Sequence, residues 1–165
     1  MTKNAWSIGL VLGLLAAAFP AFAADEPRVE ALALCRDSWL DWQATDPAKL
    51  NSAKAFFESA FSGAGTDAFV TPKSPMTIAG LQVTQVYPES VGMGVGFSVL
   101  VDAPFDVARM AVEQSLGRPL GPCETGEGMR TCELPIAAQR TLMLASNEPP
   151  DDTATLVGCY YLYEK

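Results

Sequence analysis

The chain has 165 residues, with 11 basic and 19 acidic side chains, four cysteines and no histidine, giving a formal charge of −8. The lack of histidine excludes Ser-His-Asp and Cys-His catalysis and the commonest zinc and haem ligation patterns. The acidic balance disfavours nucleic acid and anionic membrane surfaces as partners and suits a basic protein partner, although acidity is also a common route to solubility.

Residues 1–23 read as a signal peptide. Lys3 supplies the positive start, Ile8 to Phe19 the apolar run, and Ala21-Phe22-Ala23 the small-x-small cleavage pattern. A bilayer span needs about 20 apolar residues, so this run predicts cleavage over a retained anchor. No cysteine stands at its end, which argues against a lipid-anchored form. Cleavage after Ala23 leaves Ala24 to Lys165 as one exported domain, periplasmic or secreted and without stable membrane insertion. Losing Lys3 changes 11 basic residues to 10 against 19 acidic ones, a charge of −9.

In the remaining chain, Pro27 to Gln43 predicts an amphipathic helix, with Val29, Leu32, Cys35, Trp39, Leu40 and Trp42 on one broad face. Tryptophans that share a face with Leu32 and Cys35 read as core rather than as a ligand platform. Asp46-Pro47 caps and starts a second helix, in which Leu50, Ala53, Phe57, Ala60 and Phe61 keep helical spacing up to Gly63. Phe56 lies off that stripe, at an edge or exposed. With only Ala44 to Asp46 between them, the two helices should form an antiparallel hairpin. Ser62 to Pro75 is a Gly-, Thr-, Ser- and Pro-rich loop.

Met76 to Tyr87 predicts a strand with Gly80 as a bend or bulge, and Pro88-Glu89-Ser90 turns it into the next. Met93, Val95, Phe97, Val99 and Val101 then alternate with Gly94, Gly96, Ser98, Leu100 and Asp102, the strongest strand signal in the chain. A face carrying glycines usually has another backbone close against it. A helix follows at once, with Asp102 as cap, Pro104 in the first turn and Asp106 at the positive end. Phe105, Ala108, Val112 and Leu116 carry it to Gly117 and Pro119. Gly121 to Cys132 is a polar loop, Arg130 to Ile136 and Arg140 to Ser146 are short strands, and Asn147 to Asp152 is an exposed acidic turn. The last strand, Thr153 to Tyr163, has apolar groups on both faces, as a strand covered on both sides would.

The order ααββαβββ segregates helices from strands and predicts an α+β fold: an N-terminal helical hairpin, then a mostly antiparallel sheet with one central packed helix. Four exported cysteines allow three pairings. Cys123–Cys132 and Cys35–Cys159 are favoured, the second tying the first helix to the last strand. A zinc site would need a Cys-x-x-Cys pair or a histidine, and the chain has neither.

The chemistry left to such a chain is carboxylate chemistry. Asp37 with Asp41, Glu124 with Glu127, and Asp151 with Asp152 are spaced as pairs, but each sits where solvated acids normally sit. Glu148, Asp151 and Asp152 match no calcium loop. The sequence therefore predicts no catalytic group, metal or cofactor. The stretch between Cys123 and Cys132 stands out instead, because a disulfide across its base would lower the entropy lost on binding. Its candidate contacts are Glu124, Glu127, Met129 and Arg130. Size, charge, export and stapling together suggest a non-catalytic immunity or inhibitor protein that binds a basic secreted toxin or hydrolase attacking peptidoglycan or phospholipid. A small-molecule or lipid-binding domain and a carboxylate hydrolase are the alternatives.

Overall fold

The computed structural model describes residues 26–38, 47–63, 69–88, 90–91 and 94–161. The expected signal peptide lies outside them, as do Trp39, Leu40, Trp42 and the turn of the expected helical hairpin. Among the described residues no helix is long and apolar enough to cross a membrane.

The alternating run becomes the central strand β6 (Gly94–Val101). Phe97, Val99 and Val101 are fully buried, whereas Val95, near the strand's start, is exposed. Before β6 come α1 (Glu26–Ala33), α2 (Pro47–Ala60), and the short pair β1 (Phe61–Ser62) and β2 (Thr71–Pro72). They are followed by β3 (Thr77–Ile78), β4 (Leu81–Tyr87) and β5 (Ser90–Val91). After β6 come α3 (Phe105–Leu116), β7 (Cys123–Gly126), β8 (Met129–Ala137), β9 (Arg140–Asn147) and β10 (Thr155–Tyr161). The main sheet has the order β3-β4-β6-β10-β9-β8-β7, with β5 paired to β6. Every pairing in it is antiparallel. The fold is α+β, as the segregation of helices and strands implied.

Two meanders make up this sheet. β3, β4 and β6 form the first, and α3 then carries the chain to the far edge. β7, β8, β9 and β10 step back until β10 lands against β6, pairing Thr155 with Val101 through to Tyr160 with Gly96. A glycine of the partner strand makes such a close backbone approach. A Cβ on Gly158 would sit 2.9 Å from Ser98 Cα and 3.0 Å from the Phe97 carbonyl oxygen.

One face of the sheet is covered by α1 and α3. Val83 and Val86 of β4, Val157 and Cys159 of β10, and Leu142 and Leu144 of β9 bury there beside Phe97 and Val99. Phe105, Ala108 and Val112 of α3 and Val29 and Leu32 of α1 complete this core. Phe56 is also core, edge-to-face with Phe57 at 5.1 Å and Phe61 at 5.6 Å, with the Arg28 guanidinium 5.4 Å from its ring centre. It is therefore no candidate for a surface contact.

Several expectations change in detail. The first helix ends at Ala33, because Cys35 takes a left-handed φ of 58° and turns the chain across β10. The N–H groups of Arg36 and Asp37 close that turn on the Ala31 carbonyl at 2.7 and 3.0 Å. The bend at Gly80 is a two-residue turn, with φ of 48° at Ala79 and 77° at Gly80, and it splits the expected strand into the hairpin β3–β4. Asp102 does not cap α3, since its N–H still pairs with the Gln82 carbonyl at 2.9 Å and Pro104 takes the cap position. Gly117, at φ 68°, ends the helix as expected.

Both disulfides form as favoured, Cys35–Cys159 with Cα atoms 5.0 Å apart and Cys123–Cys132 at 4.2 Å. In the chain-entropy model a loop of the first length contributes about 5 kcal/mol and the second about 3 kcal/mol. Urea titration of the Cys35→Ala/Cys159→Ala variant should therefore show a larger loss than Cys123→Ala/Cys132→Ala. Phe97→Ala should cost about 3–5 kcal/mol in the same measurement, as truncation of a fully buried phenylalanine does. A Phe97→Ala protein that melts like wild type would mean that the helix-covered face is not the core.

Candidate functional site

The stretch expected to be a stapled loop is a β-hairpin. β7 and β8 pair from Cys123 opposite Cys132 to Gly126 opposite Met129, so strand structure begins seven residues earlier than Arg130. Glu127 and Gly128, at φ 54° and 78°, make a two-residue turn whose handedness suits a twisted hairpin. The disulfide locks the other end of these two strands, and β7 is an edge of the sheet.

Alternation distributes the four candidate contacts differently. Arg130 points to the helix-covered side, where its guanidinium donates to both Asp106 carboxylate oxygens at 2.9 and 3.3 Å and lies 4.4 Å from the centre of the Phe105 ring. It is thereby the pin that holds the hairpin against the start of α3. Arg109 holds the hairpin's other end, donating to Glu113 at 3.0 Å and to Cys123 Sγ at 3.1 Å. Glu124 and Met129 belong to the opposite side, level with Thr131 in the pleat. Met129 is 45% exposed there, and Glu127 projects from the turn into solvent.

The acidic turn after β9 joins this hairpin. The N–H of Glu148 donates to the Gly128 carbonyl at 2.9 Å, so Glu127, Glu148, Asp151 and Asp152 crowd one end of the sheet. Two acid clusters more than twenty positions apart in sequence thus form one surface. The charge of Asp152 reaches Arg130, which it helps keep protonated after the larger effect of the Asp106 hydrogen bonds.

The second face of the sheet carries no described helix. Leu100, Leu156 and Ala145 lie in one cross-strand row, followed by Thr131. Ser98 and Gly158 form the next, and Tyr160 pairs with Gly96 beyond them. Tyr160 donates to Glu133 at 2.9 Å, and burial, then that carboxylate, raise its phenol above the ordinary value. Near the acidic end Leu100, Met129, Ala145 and Leu156 line a cavity of about 300 Å³, with Asn147, Asp151 and Thr153 at its rim. The acids expected to pair as Asp151 and Asp152 do not both line it; Asp151 is the one acidic residue of the lining. This cavity was the part of the site that sequence reasoning missed. Its signal was present in Leu100, the large residue that follows Gly94, Gly96 and Ser98 on one side of β6, and in Leu156 on the matching side of β10.

No family model, no curated protein and no solved structure matches the chain.

The ion pairs make the hairpin's attachment sensitive to acid. The hydrogen bonds from Arg130 are the largest effect and, with the lesser help of the Arg130 and Arg109 charges, hold the Asp106 carboxyl below its usual range, although burial opposes them with the second-largest effect. The hydrogen bond from Arg109, aided by the Leu120 N–H at 3.0 Å, does the same for Glu113. A carboxyl with a folded pKa below its unfolded value binds fewer protons in the folded protein. Its contribution is complete above the unfolded value, about 4, and disappears as pH falls through the folded one. Thermal melts from pH 7 to pH 2 should therefore show Asp106→Asn less stable than wild type at neutral pH and equal to it at the acid end. A constant gap across the series would mean that the Asp106–Arg130 pair is not what titrates.

Proposed function

We propose that this chain is an exported, non-catalytic binding protein that inhibits a basic secreted enzyme or toxin, one acting on peptidoglycan or phospholipid. The observation that carries the reading is the single acidic surface made by the stapled hairpin turn and the 148–152 turn, joined through Glu148 and Gly128. Surface acids distributed for solubility alone need no common frame. Here the hairpin is closed by a disulfide, held by Arg130 and Arg109 to α3, and hydrogen-bonded to the second turn. Such a surface loses little conformational entropy on binding. It would also steer a positively charged partner and accelerate encounter.

Export is supported by the two disulfides, which persist in oxidising compartments. A pair-of-carboxylates hydrolase would need two acids flanking one cleft. The cavity on the uncovered face has one, Asp151, and the cavity between Arg36, Arg140 and Tyr161 also has one, Asp37.

Exported proteins from the chain's own source, passed over the immobilised protein and identified by mass spectrometry, should yield a basic enzyme whose activity falls as the purified chain is added. Its association should slow as salt rises from low to physiological strength. Replacing Glu124 and Glu127 together with Ala should slow association by about tenfold or less and leave the melting temperature within about 2 °C. A captured protein that is acidic, or an enzyme bound but not inhibited, would reject the proposed function.

A further inference from the structure

The cavity on the uncovered sheet face has a chemistry of its own. Leu100, Leu156 and Ala145 give it an aliphatic floor built from three neighbouring strands, and Met129 forms an adaptable wall. Its mouth carries Asp151, whose carboxylate has no ion-pair or hydrogen-bond partner among the described residues. Glu148 and Asp152 stand on the same turn, and Glu127 is joined to it through the adjoining Gly128. The nearby arginines are ion-paired elsewhere, Arg130 to Asp106 and Arg109 to Glu113, and of the turn's acids it is Asp152, not Asp151, whose charge reaches Arg130.

An apolar trough with an unneutralised acidic mouth matches one common side-chain type. Lysine and arginine bury an aliphatic stem and keep a cationic head at the edge. A volume of about 300 Å³ stands at the lower limit of small-ligand sites, a size suited to one side chain rather than to a lipid or a cofactor. We propose that this cavity receives a lysine or arginine side chain of the basic protein partner, its stem on Leu100 and Leu156 and its head at Asp151. The inference rests on the reading above, that the partner is a basic protein, and specifies where that partner inserts. Charge complementarity selects this occupant over a second copy of the chain, which would bring its own acidic surface to the same place.

Hexalysine is the probe, titrated into the disulfide-bonded protein carrying ¹³C-labelled methyl groups, with hexaglutamate as the control. Hexalysine should shift the methyl resonances of Leu100, Met129, Ala145 and Leu156 to saturation, and hexaglutamate should leave them unmoved. Asp151→Asn should weaken the titration by about two- to fivefold, the range of an exposed ion pair. Glu58→Gln, which removes the same charge from α2, should not weaken it. Ala145→Leu, which fills the floor, should abolish the shifts at Leu100 and Leu156, and retention of the remaining spectrum shows that it folds. Two results overturn the proposal: shifts confined to the acidic turns with the methyls of these four residues unmoved, or equal weakening by Asp151→Asn and Glu58→Gln. The failures remain distinct. Unmoved methyls reject the cavity whatever partner is captured, whereas cavity binding with no inhibited enzyme rejects the inhibitor and leaves the cation site standing.

Discussion

The pairing of β6 with β10 is the joint on which the rest of the molecule depends. Each meander is bound to itself by short connections, and among the described residues the strand pairing that joins the two is Thr155–Tyr160 against Gly96–Val101. Gly158 lets the backbones approach at Ser98, and Thr155 seals the end by donating from its hydroxyl to the Ala103 carbonyl at 2.8 Å. The core follows from this joint. Phe97 faces Cys159 and Val99 faces Val157 across it, and Leu142 and Leu144 extend the same apolar rows into β9. α1 and α3 then have one continuous floor to cover.

The elements most legible in the sequence were those whose local pattern and tertiary role agree. The period-two run of β6 and the 105–116 helix satisfy strand and helix templates by themselves, and tertiary contacts only trim their ends. Features lost to sequence reading were set by distant partners. Asp102 has cap chemistry, but its N–H is taken by Gln82. Amphipathic spacing extends the first helix past Cys35, but the bond to Cys159 requires the chain to turn there. Short pairings such as β1 with β2 carry almost no pattern, because two residues cannot establish a period. Glu30 illustrates the same limit. It reads as the solvated side of a helix, yet one oxygen accepts from Arg36 at 2.9 Å and the other from the Ala79 N–H at 3.0 Å.

The candidate site was legible as residue types and not as an arrangement. Cys123 and Cys132 marked the stapled segment, and Glu148, Asp151 and Asp152 marked an exposed acidic turn. Nothing in the linear order says that the two adjoin, because adjacency follows from β8 and β9 being neighbours in register. Arg130 shows the converse. It lies in the stapled segment among acids and looks available, but alternation sends it to the covered side, where Asp106 and Phe105 engage it. The sequence pattern could place Leu100 and Leu156 on the second side of their strands. Only strand order reveals that they stand together with Ala145 in one row.

The two disulfides differ in the moment at which they can close during synthesis. Cys123 and Cys132 are 9 positions apart and belong to one hairpin, so a short emerged segment is enough to bring them together. Cys35 is separated from Cys159 by 124 positions, and its partner sits in the strand that completes the sheet. From the emergence of Cys132 until that of Cys159 the first cysteine is a thiol with two possible wrong partners and no right one. Early closure of the hairpin removes both wrong partners at once. The small disulfide thus protects the large one, acting on the folding chain by leaving Cys35 a single remaining choice.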